Sequence, residues 1–278
     1  MGGAAALRLD DVGAASKRFE VYGVTRLPLG PFRLPFPGNF LFLKYMPPIK
    51  RWGPYAELSA AAWEWIVAAL EAAHARMTVG ITAGWVEDDA SVTPFPRKFP
   101  AAAAVIRAAA ARGVLEVANH GYTHCVLDNG MFRPRLFHGN RPFHREFYDW
   151  LPEAVHREHV TRAQGILQDY LGEAVVTFVP PGNVFTRVTL AVAAEAGLRF
   201  VSCLEPTSWG PIEALTFVGN DDVVAIHDRD LVLGGPATLQ RILEGRGILA
   251  GQGILAERGS EPFVTVREMG ERAQRARR

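Results

Sequence analysis

In the stretch Leu115 to Cys125, LEVANHGYTHC, two histidines four residues apart follow a short apolar run. Val114 to Ala118 has the composition of a buried strand. It breaks at Asn119, and His120 and His124 follow on a turn that contains Gly121. Neutral imidazole is a common metal donor near pH 7, so two of them at one strand end could hold a single ion. To act on a substrate such an ion needs a third protein ligand and an open position, and hydrolysis also needs a base beside the water. Asp10 and Asp11, at the end of ALRLDD, are carboxylates of the right kind. Neighbouring residues of a strand point to opposite sides, so the two share a site only if the chain turns there, which Val12-Gly13 permits. Taken alone, the pair reads more simply as a solvated turn or as a helix N-cap before Ala14 to Arg18.

The elements that must position these groups follow from length and pattern. A chain of 278 residues with 49% hydrophobic and 21% charged residues suits one large α/β domain, taken as residues 1–278. A net charge of +1 leaves no nucleic-acid footprint. The two cysteines, Cys125 and Cys203, are expected to be reduced and buried. The start MGGAAALRLDDV has neither a basic leader nor an apolar run, and no segment reaches about 18 uncharged apolar residues. The expectation is a soluble, cytoplasmic protein with no membrane span.

Strand and helix patterns alternate along the chain. Ala6 to Asp11 is a short strand, and Ser59 caps a helix with Trp63, Ile66, Val67 and Leu70 on one face. Met77 to Ala83 is a buried strand, Ala101 to Arg112 an alanine-rich helix, and Pro152 opens a helix that closes at Gly172. Strands follow at Ala174 to Val179, Leu198 to Leu204, Val223 to Ile226 and Phe263 to Val266, with an arginine-rich helix at the end whose charges read as a solvated face. His156 and His159 ride on the Pro152 helix among charged neighbours and read as solvated. Two long irregular stretches, at about 25–55 and 126–152, belong over the site. The first, rich in proline, glycine and aromatics, reads as a packed excursion serving packing, an oligomer contact or ligand contact.

Repeated alternation implies a parallel sheet, whose ligand site lies at the carboxyl ends of its strands. On that rim fall Asp10 and Asp11, His120 and His124, Pro180 to Asn183, Glu205, and His227. With LRLDD, NHGYTH, FVPPGN and VVAIHD in this order, the chain resembles the polysaccharide deacetylase superfamily, the NodB homology domain of carbohydrate esterase family four. The resemblance implies an irregular seven-stranded (β/α) barrel and a metal-dependent deacetylase. It implies Asp10 as catalytic base, Asp11, His120 and His124 as ligands of zinc or a similar divalent ion, and His227 as general acid. Pro181, Gly182 and Asn183 would bind substrate or offer an oxyanion a backbone N–H, and Asn119 and Thr123 would support the ligands.

Two departures stand out. The family's usual arginine before the Pro-Pro turn is replaced by Val179, for which Arg141, Arg145 or Arg229 could substitute. The acid that usually orients the histidine is also missing, and Glu205 is the candidate. A long excursion and no export signal favour a small acylated amino sugar, nucleotide sugar or glycan precursor, as in envelope polysaccharide (O-antigen) assembly. The competing readings are a glycan-binding pseudoenzyme, motivated by the missing arginine, and an amidohydrolase acting on a non-sugar amide.

Overall fold

A computed structural model describes residues 5–52, 56–127, 145–204, 214–245 and 261–277. The chain begins with β1 (Ala6–Val12), a 3-10 turn over Ala15–Phe19, and β2 (Val21–Gly23). A hairpin of β3 (Arg26–Leu29) and β4 (Phe32–Pro35), a second 3-10 turn at Leu41–Tyr45, and β5 (Lys50–Trp52) follow. Next come α1 (Ala60–Ala72), β6 (Met77–Ile81), the pair β7 (Gly84–Val86) and β8 (Val92–Pro94), α2 (Phe95–Lys98), α3 (Pro100–Ala111) and β9 (Leu115–Asn119). After α4 (Glu153–Leu171) come β10 (Thr177–Phe178), a 3-10 turn at Pro181–Asn183, α5 (Arg187–Glu195), β11 (Phe200–Ser202) and β12 (Thr216–Val218). The chain finishes with β13 (Val223–His227), α6 (Asp228–Gly234), α7 (Pro236–Leu243) and α8 (Val266–Ala276).

Seven strands form one parallel sheet in the order β12-β11-β10-β9-β6-β1-β13. It curls into an irregular seven-stranded (β/α) barrel, and among the described residues no ladder joins β12 to β13. The strands are short and buried because helices cover them, so they read as continuous apolar runs such as Met77–Ile81. Local signals set the helices. The Ser59 hydroxyl accepts from the N–H of Ala62 at 3.2 Å, and Trp63, Ile66, Val67 and Leu70 recur at helical spacing on the buried face of α1. Thr186 and Thr189 cap α5 reciprocally, and α4 stops where Gly172 turns left-handed at φ 74°.

Helix α8 lies against the amino-terminal ends of the strands, away from the histidine rim. The N–H of Val266 donates to Thr78 Oγ1, the N–H of Arg267 to Glu116, and Gly270 rests on the Phe200 ring so closely that a Cβ would overlap it. Its arginines pair outward, Arg267 with Glu271. The expected strand at Phe263 to Val266 is only a single bridge, Ala6 to Val264, because Thr265 already caps α8. Both cysteines are buried thiols outside any disulfide, and among the described residues no helix is long and apolar enough to cross a membrane.

Two further expectations are overturned. His156 and His159 are buried, because α4 turns them inward together with Val160, Ala163 and Leu167. There His156 Nδ1 meets Thr189 Oγ1 at 2.8 Å and His159 Nδ1 meets Glu146 Oε1 at 2.6 Å. The excursion after β1 is not packed throughout either, since residues 25–35 are exposed along both strands of the β3–β4 hairpin.

Candidate metal centre

Asp10 and Asp11 reach one site because β1 is irregular there. Its register against β6 shifts between Leu9 and Val12, and Asp11 takes a left-handed backbone at φ 69°. Such a bulge re-aims a side chain that a regular strand would send to the other face. Lys17 Nζ holds the strained carbonyl of Asp11 at 3.0 Å, and the same buried ammonium pairs with Asp228 and Glu57. Burial works against the Lys17 charge, but the two carboxylates outweigh it and raise its pKa. Burial also pushes Asp228 up, against the pull of Lys17.

His120 leaves the end of β9, and His124 follows on a turn in which Gly121 and His124 both take positive φ, 78° and 66°. His120 Nδ1 lies 2.7 Å from the Val179 carbonyl, which can only accept, so that nitrogen carries the proton and Nε2 is bare in the neutral ring. His124 Nδ1 lies 2.8 Å from Ser16 Oγ. Burial lowers the His124 pKa, so its ring is neutral near pH 7. Both Nε2 atoms converge on Asp11 Oδ1, at 3.3 Å for His120 and 3.2 Å for His124. Burial opposes the Asp11 charge, but the nearby His227 and the two rings hold its pKa well below the usual carboxylate range.

This donor set fits a divalent cation. One carboxylate and two imidazoles offer ligand atoms within 4.8 Å of one another, all buried. His124 Nε2 is buried without a hydrogen-bond partner. In the neutral His120 ring the bare Nε2 faces the Asp11 carboxylate oxygen, lone pair against lone pair, and a cation between them removes that cost. Two atoms each about 2.1 Å from a tetrahedral ion sit roughly 3.4 Å apart, close to the separations found.

Around this triad stand the other rim groups. Arg8, two residues before Asp10 on the same face of β1, grips the carboxylate with both arms of its fork. Nε and Nη2 each donate at 2.8 Å, while Nη1 donates to the Ser202 carbonyl at 3.0 Å and to Ser202 Oγ at 2.7 Å. The guanidinium expected from Arg141, Arg145 or Arg229 therefore comes from Arg8. Arg141 lies outside the described residues, Arg145 rests against Gly182, and Arg229 Nη1 stays 3.9 Å from Asp11 Oδ2 while bonding Glu20 and Tyr22. Position 179 contributes its carbonyl to His120, and its side chain is buried.

His227 ends β13 directly beside Asp10 in the parallel register. Glu205 lies outside the described residues. Asp230 is the acid next to His227, with Oδ2 3.6 Å from Nδ1 and accepting the His227 N–H at 3.0 Å. Burial works against a charged ring, but Asp11 and Asp230 prevail and hold the His227 pKa up at about 9. Pro181 packs on Gly121, whereas the N–H groups of Asn183 and Val184 are already bonded to Pro180 and Pro181 inside the turn. Asn119 and Thr123 shape the backbone instead of touching the rings. Asn119 Oδ1 accepts from the N–H of Gly121 at 3.0 Å, and the N–H of Thr123 donates to buried Glu146, which also accepts from the N–H of Tyr122 and pairs with His159.

The sequence pattern of the polysaccharide deacetylase family matches residues 53–201. The chain belongs to the polysaccharide deacetylase family. Within this deacetylase match fall His120, His124 and the Pro180 to Asn183 turn, while Asp10, Asp11 and His227 lie beyond it and are brought in by β1 and β13. Among solved structures, the chain is similar to a Mycobacterium smegmatis protein described as a polysaccharide deacetylase, at 14% identity over 77% of this chain and 78% of that one, TM-score 0.47. It is similar to a family 4 carbohydrate esterase from Streptomyces lividans, at 19% identity over 73% and 92% of the two chains, TM-score 0.40. A CE4 family pseudoenzyme from Bacillus anthracis is similar at 14% identity over 72% and 62%, TM-score 0.43. No curated protein matches the chain.

Proposed function

We propose that this protein is a metal-dependent hydrolase that removes an N-acyl group, acetyl or formyl, from an amino sugar or glycan precursor. The observation that carries the reading is the convergence of both histidine Nε2 atoms on one oxygen of Asp11, with Asp10 and His227 side by side at the same rim. Asp11, His120 and His124 hold the ion, for which zinc suits the donors best. A divalent ion there polarises a carbonyl oxygen and lowers the pKa of water. Asp10 accepts the proton of the attacking water, and the bidentate grip of Arg8 fixes the plane of its carboxylate. His227, held by Asp230, gives a proton to the leaving amine. The turn at Pro181, Gly182 and Asn183 walls the substrate side, with Arg145 against Gly182 as the nearby cation. The pseudoenzyme alternative was motivated by a missing arginine, and Arg8 supplies that group.

Metal analysis of the purified chain, paired with a screen for free amine from N-acetyl and N-formyl amino sugars, tests the reading. The expected result is about one zinc-like ion per chain, lost together with amine release in His124→Ala. Stoichiometric metal with no amine from any acylated sugar would overturn the hydrolase in favour of a glycan-binding protein, and absence of metal would remove the site altogether.

A further inference from the structure

The β3–β4 hairpin is amphipathic in a way the catalytic reading does not use. Its register pairs Leu27 with Leu34 and Leu29 with Phe32, so these four side chains share one face, while Arg26, Pro28, Arg33 and Pro35 share the other. The four apolar residues are 40 to 67% exposed. Phe40, which leads into the following 3-10 turn, and Phe42 within it are 62% and 67% exposed. Scattered exposed apolar residues need no explanation, but a contiguous set on one protruding element marks an interaction surface.

The shape is built in. Gly30 takes φ 57° at the first position of the turn, and Pro31 cannot take a positive φ at the second, which selects the II′ type that suits a two-residue hairpin. At the root the backbone at Gly23 crosses Gly38 so closely that a Cβ on either would overlap the other strand's backbone, and Asn39 Oδ1 accepts the Gly23 N–H at 2.6 Å. The root belongs to the rim of the site: Tyr22 on β2 accepts from Arg229 Nη1 at 2.8 Å, and that nitrogen is 3.9 Å from Asp11 Oδ2.

Charge decides the partner. From Val21 to Ala56 the sequence carries Arg26, Arg33, Lys44, Lys50 and Arg51 and no aspartate or glutamate. Lys50 Nζ lies 4.3 Å from the Trp52 ring centroid and Lys44 Nζ 5.2 Å from that of Tyr45, pairing cations with the aromatic types that favour a membrane interface. A second copy seated on this face would bring two basic, acid-free segments together. A strand from another protein would meet Pro28 and Pro35. With the Phe36 N–H bonded to the Thr25 carbonyl, alternation puts both prolines where an N–H would point outward, so neither can donate to an added strand.

We propose that this hairpin and the 3-10 turn after it dock the protein on an anionic lipid surface, with Leu29 and Phe32 entering the headgroup boundary and the basic residues meeting lipid phosphates. The docking stands apart from the hydrolase reading, because it uses none of the metal-site residues. Co-sedimentation of the full chain with phosphatidylcholine vesicles, with and without phosphatidylglycerol, tests it. Wild type is expected to sediment with the mixed vesicles and to be released by salt. Leu29→Ser combined with Phe32→Ser should lower partitioning at least about tenfold. Arg26→Gln with Arg33→Gln should lower it about twenty-five-fold on anionic vesicles only, at about fivefold per charge. Both pairs are exposed, so circular dichroism and metal content should not change. Wild type left in the supernatant with both vesicles, or unaltered sedimentation of the Leu29/Phe32 variant, overturns the proposal. So does a wild-type dimer that the same variant dissociates without any vesicle binding, which assigns the face to a second copy.

Discussion

Replacing Arg8 with alanine leaves Asp10 buried beside the vacated guanidinium, a carboxylate stripped of both charge-assisted donors. Breaking a buried pair from one side costs about 3 kcal/mol or more, so Arg8→Ala should show that loss in a denaturant melt. Amine release should fall by about a hundredfold or more, because Asp10 loses the two-pronged grip that aims it. Metal per chain should stay unchanged, since the proposed ligands Asp11, His120 and His124 do not include Arg8. Arg8→Lys, which keeps charge but not the fork, should recover only part of the rate. A variant that loses metal as readily as activity would show that Arg8 merely supports the fold. Arg8 was legible in the sequence as the i−2 neighbour of Asp10 on a strand, and Asp230 as the third residue of a helix opened by His227. The Val179 carbonyl was not, because every residue type carries one. Ser16 and Glu146 were hidden for a different reason: their partners are set by long-range packing.

At the scale of elements, the turn bearing His120 and His124 is held from below by Glu146 and α4. Burial alone would lower the His159 pKa and raise that of Glu146, but each is the other's counter-charge, so His159 is raised and Glu146 lowered. The contribution of His159 is whole below the unfolded imidazole pKa of about 6.5 and fades as pH rises through its higher folded value. That of Glu146 is whole above the unfolded carboxyl pKa of about 4.3 and is lost as pH falls through its lower folded value. The pair therefore stabilises most between roughly pH 4.3 and 6.5. Urea melts of Glu146→Gln should differ most from wild type within that range and approach it only at pH above the raised folded value of His159, where the ring loses its charge, and an offset independent of pH would reject the pairing. The histidines on α4 looked solvated in sequence because Glu153, Arg157 and Glu158 surround them, and only the inward face shared with Val160 and Leu167 shows otherwise. In the hairpin the period-two alternation was present from Arg26 to Pro35, but its prolines obscured it, since proline argues against a strand except at an edge.

For the molecule as a whole, the sheet separates chemistry at one end from closure at the other. Gly270→Val on α8 would drive a branched side chain into the Phe200 ring, and overpacking of this kind costs about 1–3 kcal/mol. The variant should melt at a lower temperature yet bind the same metal per chain, and a loss of metal would show that the two ends are coupled. The α/β alternation and the rim were readable because buried parallel strands leave continuous apolar runs such as Met77–Ile81. Strand β12 was not, since its three residues, Thr216–Val218, are too few to carry a period. The placement of β1 between β6 and β13 has a consequence for how the chain comes together. Strand β1 is made well before β13 and must wait beside β6 with one edge bare until β13 emerges, and the Lys17 to Asp228 pair spans 211 positions. Contacts so distant in sequence slow the search for the native state. The Asp10 and His227 sides of the centre therefore assemble late and together, and a half-made chain has no partly working version of it.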